Sequence, residues 1–205
     1  MEDLRKKILA RQRNEDNEIF KEATVSILGC GGLGSNIAMM LARSGIGHIN
    51  LYDFDVVEYS NLNRQNYSVN EVGQRKVDAT KNRLEETLPF VDVKAYNIYL
   101  DDENLDQILD GANYFIEAFD NKESKIRVFD YFVNREGKYL FTASGLSGLG
   151  SLEDVKIKNF DNITMVGDFY SKPEEDGLYL PYVSIVASLE ALECLKKIRE
   201  DYYGR

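Results

Sequence analysis

Short apolar runs alternate with stretches of helical periodicity along most of the chain, and that alternation predicts the elements. Residues 23–28 (ATVSIL) form a β-branched apolar run, too short for a helix and suited to a strand buried on both faces. Residues 33–43 have helical composition, followed by a second strand at 48–52, a helix at 74–87, a third strand at 92–99 and a short helix at 104–109. A fourth strand is predicted at 114–117, a helix at 122–134 and a fifth strand at 139–143. Ahead of them lies a helix, continuous or broken, over 4–22. Beyond them an alternating segment at 152–157 reads as a strand running antiparallel, residues 159–181 as a long loop carrying two of the three prolines, and 182–202 as a final helix. Strand and helix in turn specify a Rossmann-like, doubly wound α/β fold: a mainly parallel sheet, helices on both faces, and an antiparallel extension near the C-terminus. With 205 residues, 43% of them hydrophobic, the chain can bury one good core, so one domain spanning 1–205 is expected.

The link between the first strand and its helix reads GCGGLG, residues 29–34, and Asp53 follows about twenty residues on. Gly29 suits the tight turn, Gly31 lets the backbone approach a nucleotide, Gly34 lets the helix pack closely on the strand, and Gly32 completes the run. The helix amino end then offers N–H groups to phosphate. Taken alone, the turn favours a dinucleotide, with the acid on ribose hydroxyls. The downstream residues favour a triphosphate instead. The run DFDVVEYSNLNRQ supplies Asp53, Asp55, Asn61, Arg64 and Gln65, and Lys76 opens the next helix. Two cations and an amide beside a phosphate-binding turn suit a ligand whose charge must be neutralised before a weak nucleophile attacks it. Asp120, with Asn121, ends the run YFIEAFDN, where a carboxylate at the carboxyl edge of a parallel sheet can hold magnesium against phosphates. Each residue also has an ordinary reading. Asp53 could form a turn, Asn61 could cap one, Arg64 and Lys76 could be solvated charges, and Asp120-Asn121 could open a helix.

GCGGLG, DFDxVxxSNLNRQ, GQxK and FDN, in that order, resemble the ThiF/MoeB family of ATP-dependent activating enzymes, from about residue 8 to the carboxyl end. The short length and the closing segment PYVSIVASLEALECLKKI make the chain most similar to compact ThiF-like proteins of thiamine biosynthesis. The resemblance implies that Asp53 binds the ATP ribose, that Asn61, Arg64 and Lys76 handle the phosphates, and that Asp120 serves Mg2+. It implies a homodimer in which an N-terminal arginine, Arg11 or preferably Arg13, enters the neighbouring subunit's site. The implied reaction is adenylation of the C-terminal Gly-Gly carboxylate of a ubiquitin-like sulfur carrier resembling ThiS, with release of pyrophosphate. A sulfur donor protein then displaces AMP. Two departures stand out: the spacing from Arg64 to Lys76 is one residue short of the family pattern, and Arg75 stands where proline is common. The alternatives are another acyl acceptor (a molybdopterin carrier, a peptide or a modified tRNA base), an NAD(P)-binding oxidoreductase on the same turn, or a binding module without turnover.

The charge of −10, from 35 acidic against 25 basic residues, argues against nucleic acid as the main partner. No apolar run approaches a membrane span and MEDLRKK has no signal-peptide core, so a cytoplasmic protein with no membrane partner is expected. Only two cysteines are present, Cys30 and Cys194. The paired Cys-x-x-Cys site of many family members is therefore absent and no structural zinc is expected. Both thiols read as buried packing residues, which predicts adenylation without an enzyme thioester. His48 reads as a surface residue, and the thirteen tyrosines as amphipathic edge and interface residues.

Overall fold

Short β-branched segments with no room for polar alternation become the inner strands. In the computed structural model, which describes residues 1–108, 111–133 and 135–204, β1 (Thr24–Leu28) pairs in parallel with β2 (His48–Asp53) on one side and β4 (Tyr114–Glu117) on the other. β3 (Asp92–Asn97) continues the sheet beyond β2, and β5 (Tyr139–Ala143) beyond β4. Two further strands, β6 (Lys156–Phe160) and β7 (Ile163–Gly167), complete the order β3-β2-β1-β4-β5-β7-β6. The strand order reverses between β1 and β4, so their carboxyl ends splay apart and leave the crevice where open α/β sheets bind ligands.

Helices cover both faces, as the alternation predicts. α3 (Gly34–Arg43) and α4 (Lys76–Thr87) share one face with the long α8 (Leu180–Tyr203), around a core that includes Ile27, Leu41, Ile116 and Val186. α6 (Lys122–Phe132) packs Val128 and Phe132 on the other face against Leu28, Phe115 and Leu140, and Leu105 of α5 (Leu105–Ile108) joins that core. The Phe115 and Phe132 ring centroids lie 4.8 Å apart.

Several boundaries differ from expectation for identifiable reasons. The N-terminal helix is two helices, α1 (Glu2–Ile8) and α2 (Asn14–Glu22), because buried Leu9 anchors the break against Gly45. The Arg5 guanidinium, also buried, donates to the carbonyls of Gly45 and Asn17. α4 starts at Lys76 rather than 74, since Arg75 is extended and bridges to Val56. β3 stops at Asn97, and residues 98–100 run over the crevice instead. The predicted helices at 104–109 and 122–134 each end on a position, Leu109 and Asn134, outside the described residues.

The largest correction is at 152–181. The strand expected at 152–157 begins late: Leu152–Asp154 forms one helical turn, and β6 begins only at Lys156. The expected loop contains β7 and a short α7 (Pro173–Asp176). A two-residue turn joins β6 to β7, with Asp161 at φ 49°. Asn162 fixes that turn by donating to the carbonyls of Phe132, Arg135 and Lys138 at 2.9, 3.1 and 2.7 Å. β7 runs parallel to β5, and β6 antiparallel to β7, so the antiparallel extension is present, with its strand starting four residues later than predicted.

Candidate active site

Sterics force the glycine turn before any ligand is considered. Gly29 sits at φ 100°, a region that suits glycine, and a Cβ there would lie 2.8 Å from the Ala118 carbonyl oxygen. A Cβ on Gly34 would lie 1.8 Å from the Gly29 oxygen, so only glycine lets α3 approach the turn so closely. Gly31 lines a cavity at the strand-order reversal, and a Cβ there would meet nothing nearer than the Gln65 amide at 3.8 Å. Gly32 lies between the Arg64 stem and Val183. The glycine turn ahead of α3 therefore lines this cavity, while the N–H groups of Ser35, Asn36 and Ile37 in the first turn of α3 already donate to the Gly31 and Leu33 carbonyls.

β2 delivers both aspartates. Asp53 is buried, accepting from the Cys30 N–H at 2.6 Å and from the Asp55 N–H at 2.8 Å. Burial raises its carboxyl above the ordinary range, against those two N–H groups and Lys76, which pull it down. Asp55 pairs with Lys76, whose Nζ lies 2.8 Å from Oδ2 and whose backbone N–H also donates to the Asp55 carbonyl. All three residues line the cavity, together with Gly29, Gly31 and Asp120. The cavity measures about 70 Å³.

The structure separates the other candidates. Asp120 is exposed at the cavity rim, while its neighbour Asn121 takes the capping role, accepting from the Ser124 N–H at 2.8 Å. Asn61 is buried and spends its side-chain oxygen on the Glu58 N–H at 3.0 Å, a turn-capping use that leaves its NH2 group as the donor. Arg64 lies outside the cavity lining, its stem against Gly32 and its guanidinium bonded to the Ser60 carbonyl and the Asn63 side chain. Gln65 is buried below Gly31, and its side-chain oxygen has no hydrogen-bond partner. Arg13 is not in this chain's crevice: it precedes α2, exposed beside Glu15, next to the far end of α3 where Gln12 donates to the Arg43 carbonyl.

Beneath Asp120 lies a network that sequence reasoning missed. Glu117, buried at the end of β4, accepts from the Phe119 N–H at 2.7 Å, from Lys125 at 3.0 and 3.2 Å, and from the Thr142 hydroxyl. It thereby fixes the strand-end turn that presents Asp120. Phe54, Ile98, Tyr99 and Leu100 wall the cavity and were missed as well, because an apolar wall carries no chemical signature. The only available signal was Phe54, flanked by the two aspartates.

Both cysteines are free and buried, and burial raises both thiols well above the ordinary range, which disfavours the thiolate at each. His48 opens β2 at the amino ends of the strands, 3.2 Å from Asp92 and away from the crevice at their carboxyl ends. Among the described residues no three His, Cys, Asp or Glu side chains gather to hold a metal ion, and no helix is long and apolar enough to cross a membrane.

The sheet order, the glycine turn and the acid ending β2 define a Rossmann-like α/β domain of the doubly wound class. The chain belongs to the ThiF family, whose model matches residues 5–203. It is 32% identical over 193 residues to the adenylyltransferase and sulfurtransferase UBA4 of Vanderwaltozyma polyspora, covering 89% of this chain and 44% of that protein. It is 36% identical over 187 residues to the adenylyltransferase and sulfurtransferase MOCS3 of Xenopus laevis, covering 86% and 41%. The chain thus spans less than half the length of these relatives. The fold is similar to that of E. coli TcdA, a tRNA N6-threonylcarbamoyladenosine dehydratase crystallised with ATP, with a TM-score of 0.86 at 22% identity over 97% of this chain and 95% of that one.

Proposed function

We propose that the chain binds ATP in the crevice between β1 and β4 and adenylates a carboxylate, the C-terminal Gly-Gly end of a ubiquitin-like sulfur carrier. The observation that carries this reading is the convergence of Gly31, Asp53, Lys76 and Asp120 on one cavity, with Arg64 against the same turn. Membership of a family whose relatives are named adenylyltransferases supports it. In this reading Asp53 takes the ribose hydroxyls, the glycine turn and α3 amino end take phosphate, and Lys76 and Arg64 stabilise charge on the phosphate oxygens. The attacking carboxylate is already ionised at neutral pH, so the reaction needs no general base, and rate comes from in-line positioning on the α-phosphate. The ionic site fits magnesium: Asp120 is a single exposed carboxylate, and Mg2+ commonly takes one or two carboxylates with the rest of its ligands from water and substrate phosphate. When bound there, the ion supplies charge neutralisation to the pyrophosphate leaving group.

With both thiols buried, the acyl adenylate is consumed by an external nucleophile, a persulfide sulfur from a donor protein, in the manner of thiazole sulfur transfer for thiamine. Segment 168–183 is the part of this chain best situated to meet the carrier tail. Asn63 donates to the Leu178 carbonyl at 3.2 Å, and Val183 lies against Gly32. A homodimer is part of the reading: Arg13 lies at the opposite end of α3 from the glycine turn, about 15 Å away along a ten-residue helix, so only another subunit's Arg13 could enter the crevice.

ATP–pyrophosphate exchange tests the proposal, run with magnesium, with and without a carrier ending in Gly-Gly, and with Asp120→Ala as control. Exchange that requires the carrier and disappears in the variant is the expected result. Tight NAD binding with no exchange on any carrier would overturn it.

A further inference from the structure

Lys76 is in an unusual electrostatic position. It is the first residue of α4, where the helix dipole already presents positive charge, and its side chain is only 8% exposed. A buried ammonium at that point requires an anion, and Asp55 supplies one from Oδ2 at 2.8 Å. Asp55 is held in register independently, because its N–H donates to Asp53 and its carbonyl accepts from the Lys76 N–H. Its carboxylate is nevertheless 45% exposed and lines the cavity, and among the described residues it accepts no side-chain bond there other than the one from Lys76. The cavity, at about 70 Å³, falls well short of the few hundred Å³ typical of small-molecule sites. A nucleotide can therefore fill it only if wall side chains move.

We infer that Asp55 is a displaceable internal anion: its carboxylate occupies Lys76 in the empty site, and the polyphosphate of ATP must expel it to bind. This rests on the adenylation reading and deepens it, making Asp55 a specificity-determining residue. A ligand gains Lys76 only if its anionic oxygens outcompete a carboxylate already in contact. Once pyrophosphate departs, Asp55 recovers the ammonium, so the same contact that weakens ATP binding hastens product release. Removing the Asp55 charge should tighten ATP binding, whereas an ordinary binding residue would weaken it when lost.

The test is calorimetric titration of ATP and adenosine in EDTA, so that no metal contributes, into the wild type, Asp55→Asn, Asp55→Ala, Lys76→Met and Asp55→Asn/Lys76→Met. The expected result is about tenfold tighter ATP binding in both Asp55 variants, the order of one charge-assisted contact. Adenosine affinity should be unchanged. In the Lys76→Met background the Asp55 substitution should bring no gain. ATP binding that is unchanged or weaker in both Asp55 variants overturns the inference while leaving the adenylation reading intact. A gain that persists without Lys76 also overturns it, because it would then reflect general charge removal. A wild type that binds no ATP either in EDTA or with magnesium restored overturns the adenylation reading and this inference with it.

Discussion

At the scale of single residues, Glu190 is the clearest anomaly. It is fully buried on α8, and neither carboxyl oxygen has a hydrogen-bond partner. Burial raises it well above the ordinary value, against the Lys125 ammonium, which lowers it, with Glu117 adding to the rise. The folded state therefore keeps a proton that the unfolded chain releases near the ordinary glutamate value of 4.5. Stability attached to this group is present in full below that value and is lost as pH climbs toward the raised folded value. Glu190→Gln is expected to flatten that decline and to stabilise the protein at neutral pH by about 1–3 kcal/mol, read from urea denaturation across a pH series. Gly34→Ala should cost about 3 kcal/mol or more by the same measurement, because its Cβ would strike the Gly29 oxygen. Gly29, Gly34 and Asp53 were legible in the sequence because close approach and a strand-end acid allow few substitutes. Asn61 and Asn121 were not decidable, since an asparagine amide serves a turn, a cap or a phosphate equally well, and the structure shows both capping.

At the scale of elements, β1, β2, β4 and β5 were readable because inner strands of a covered sheet must be largely apolar, a demand few other conformations make, whereas the edge strand β3 buries little beyond Val93. The β6–β7 hairpin was read only in part, its antiparallel strand placed four residues early and β7 taken for loop. All five residues of β6 are exposed, so no burial periodicity marks the strand, and the polar turn beside it reads as loop. β7 is nevertheless core: Ile163 is 2% exposed and packs with Leu140. Ile163→Ala should cost about 3 kcal/mol in equilibrium unfolding, as a buried truncation does, whereas a residue in a true surface loop would cost well under 1 kcal/mol.

At the scale of the whole molecule, the separation of Arg13 from the crevice predicts complementation between subunits. Arg13→Ala and Asp120→Ala should each abolish pyrophosphate exchange alone. Refolded together in equal amounts, they should recover about a quarter of wild-type activity, because half the dimers are mixed and each of those holds one complete site. No recovery would mean that each chain builds its site alone. One last consequence follows from the placement of α8, which packs on β4, β5 and β7 and on α2 and α3 yet comes after every strand in chain order. During translation the apolar underside of the sheet leaves the ribosome before the helix that seals it. The nascent chain must keep that surface exposed until synthesis has passed Tyr203, which makes this interval the stage at which chaperone capture or aggregation competes with folding.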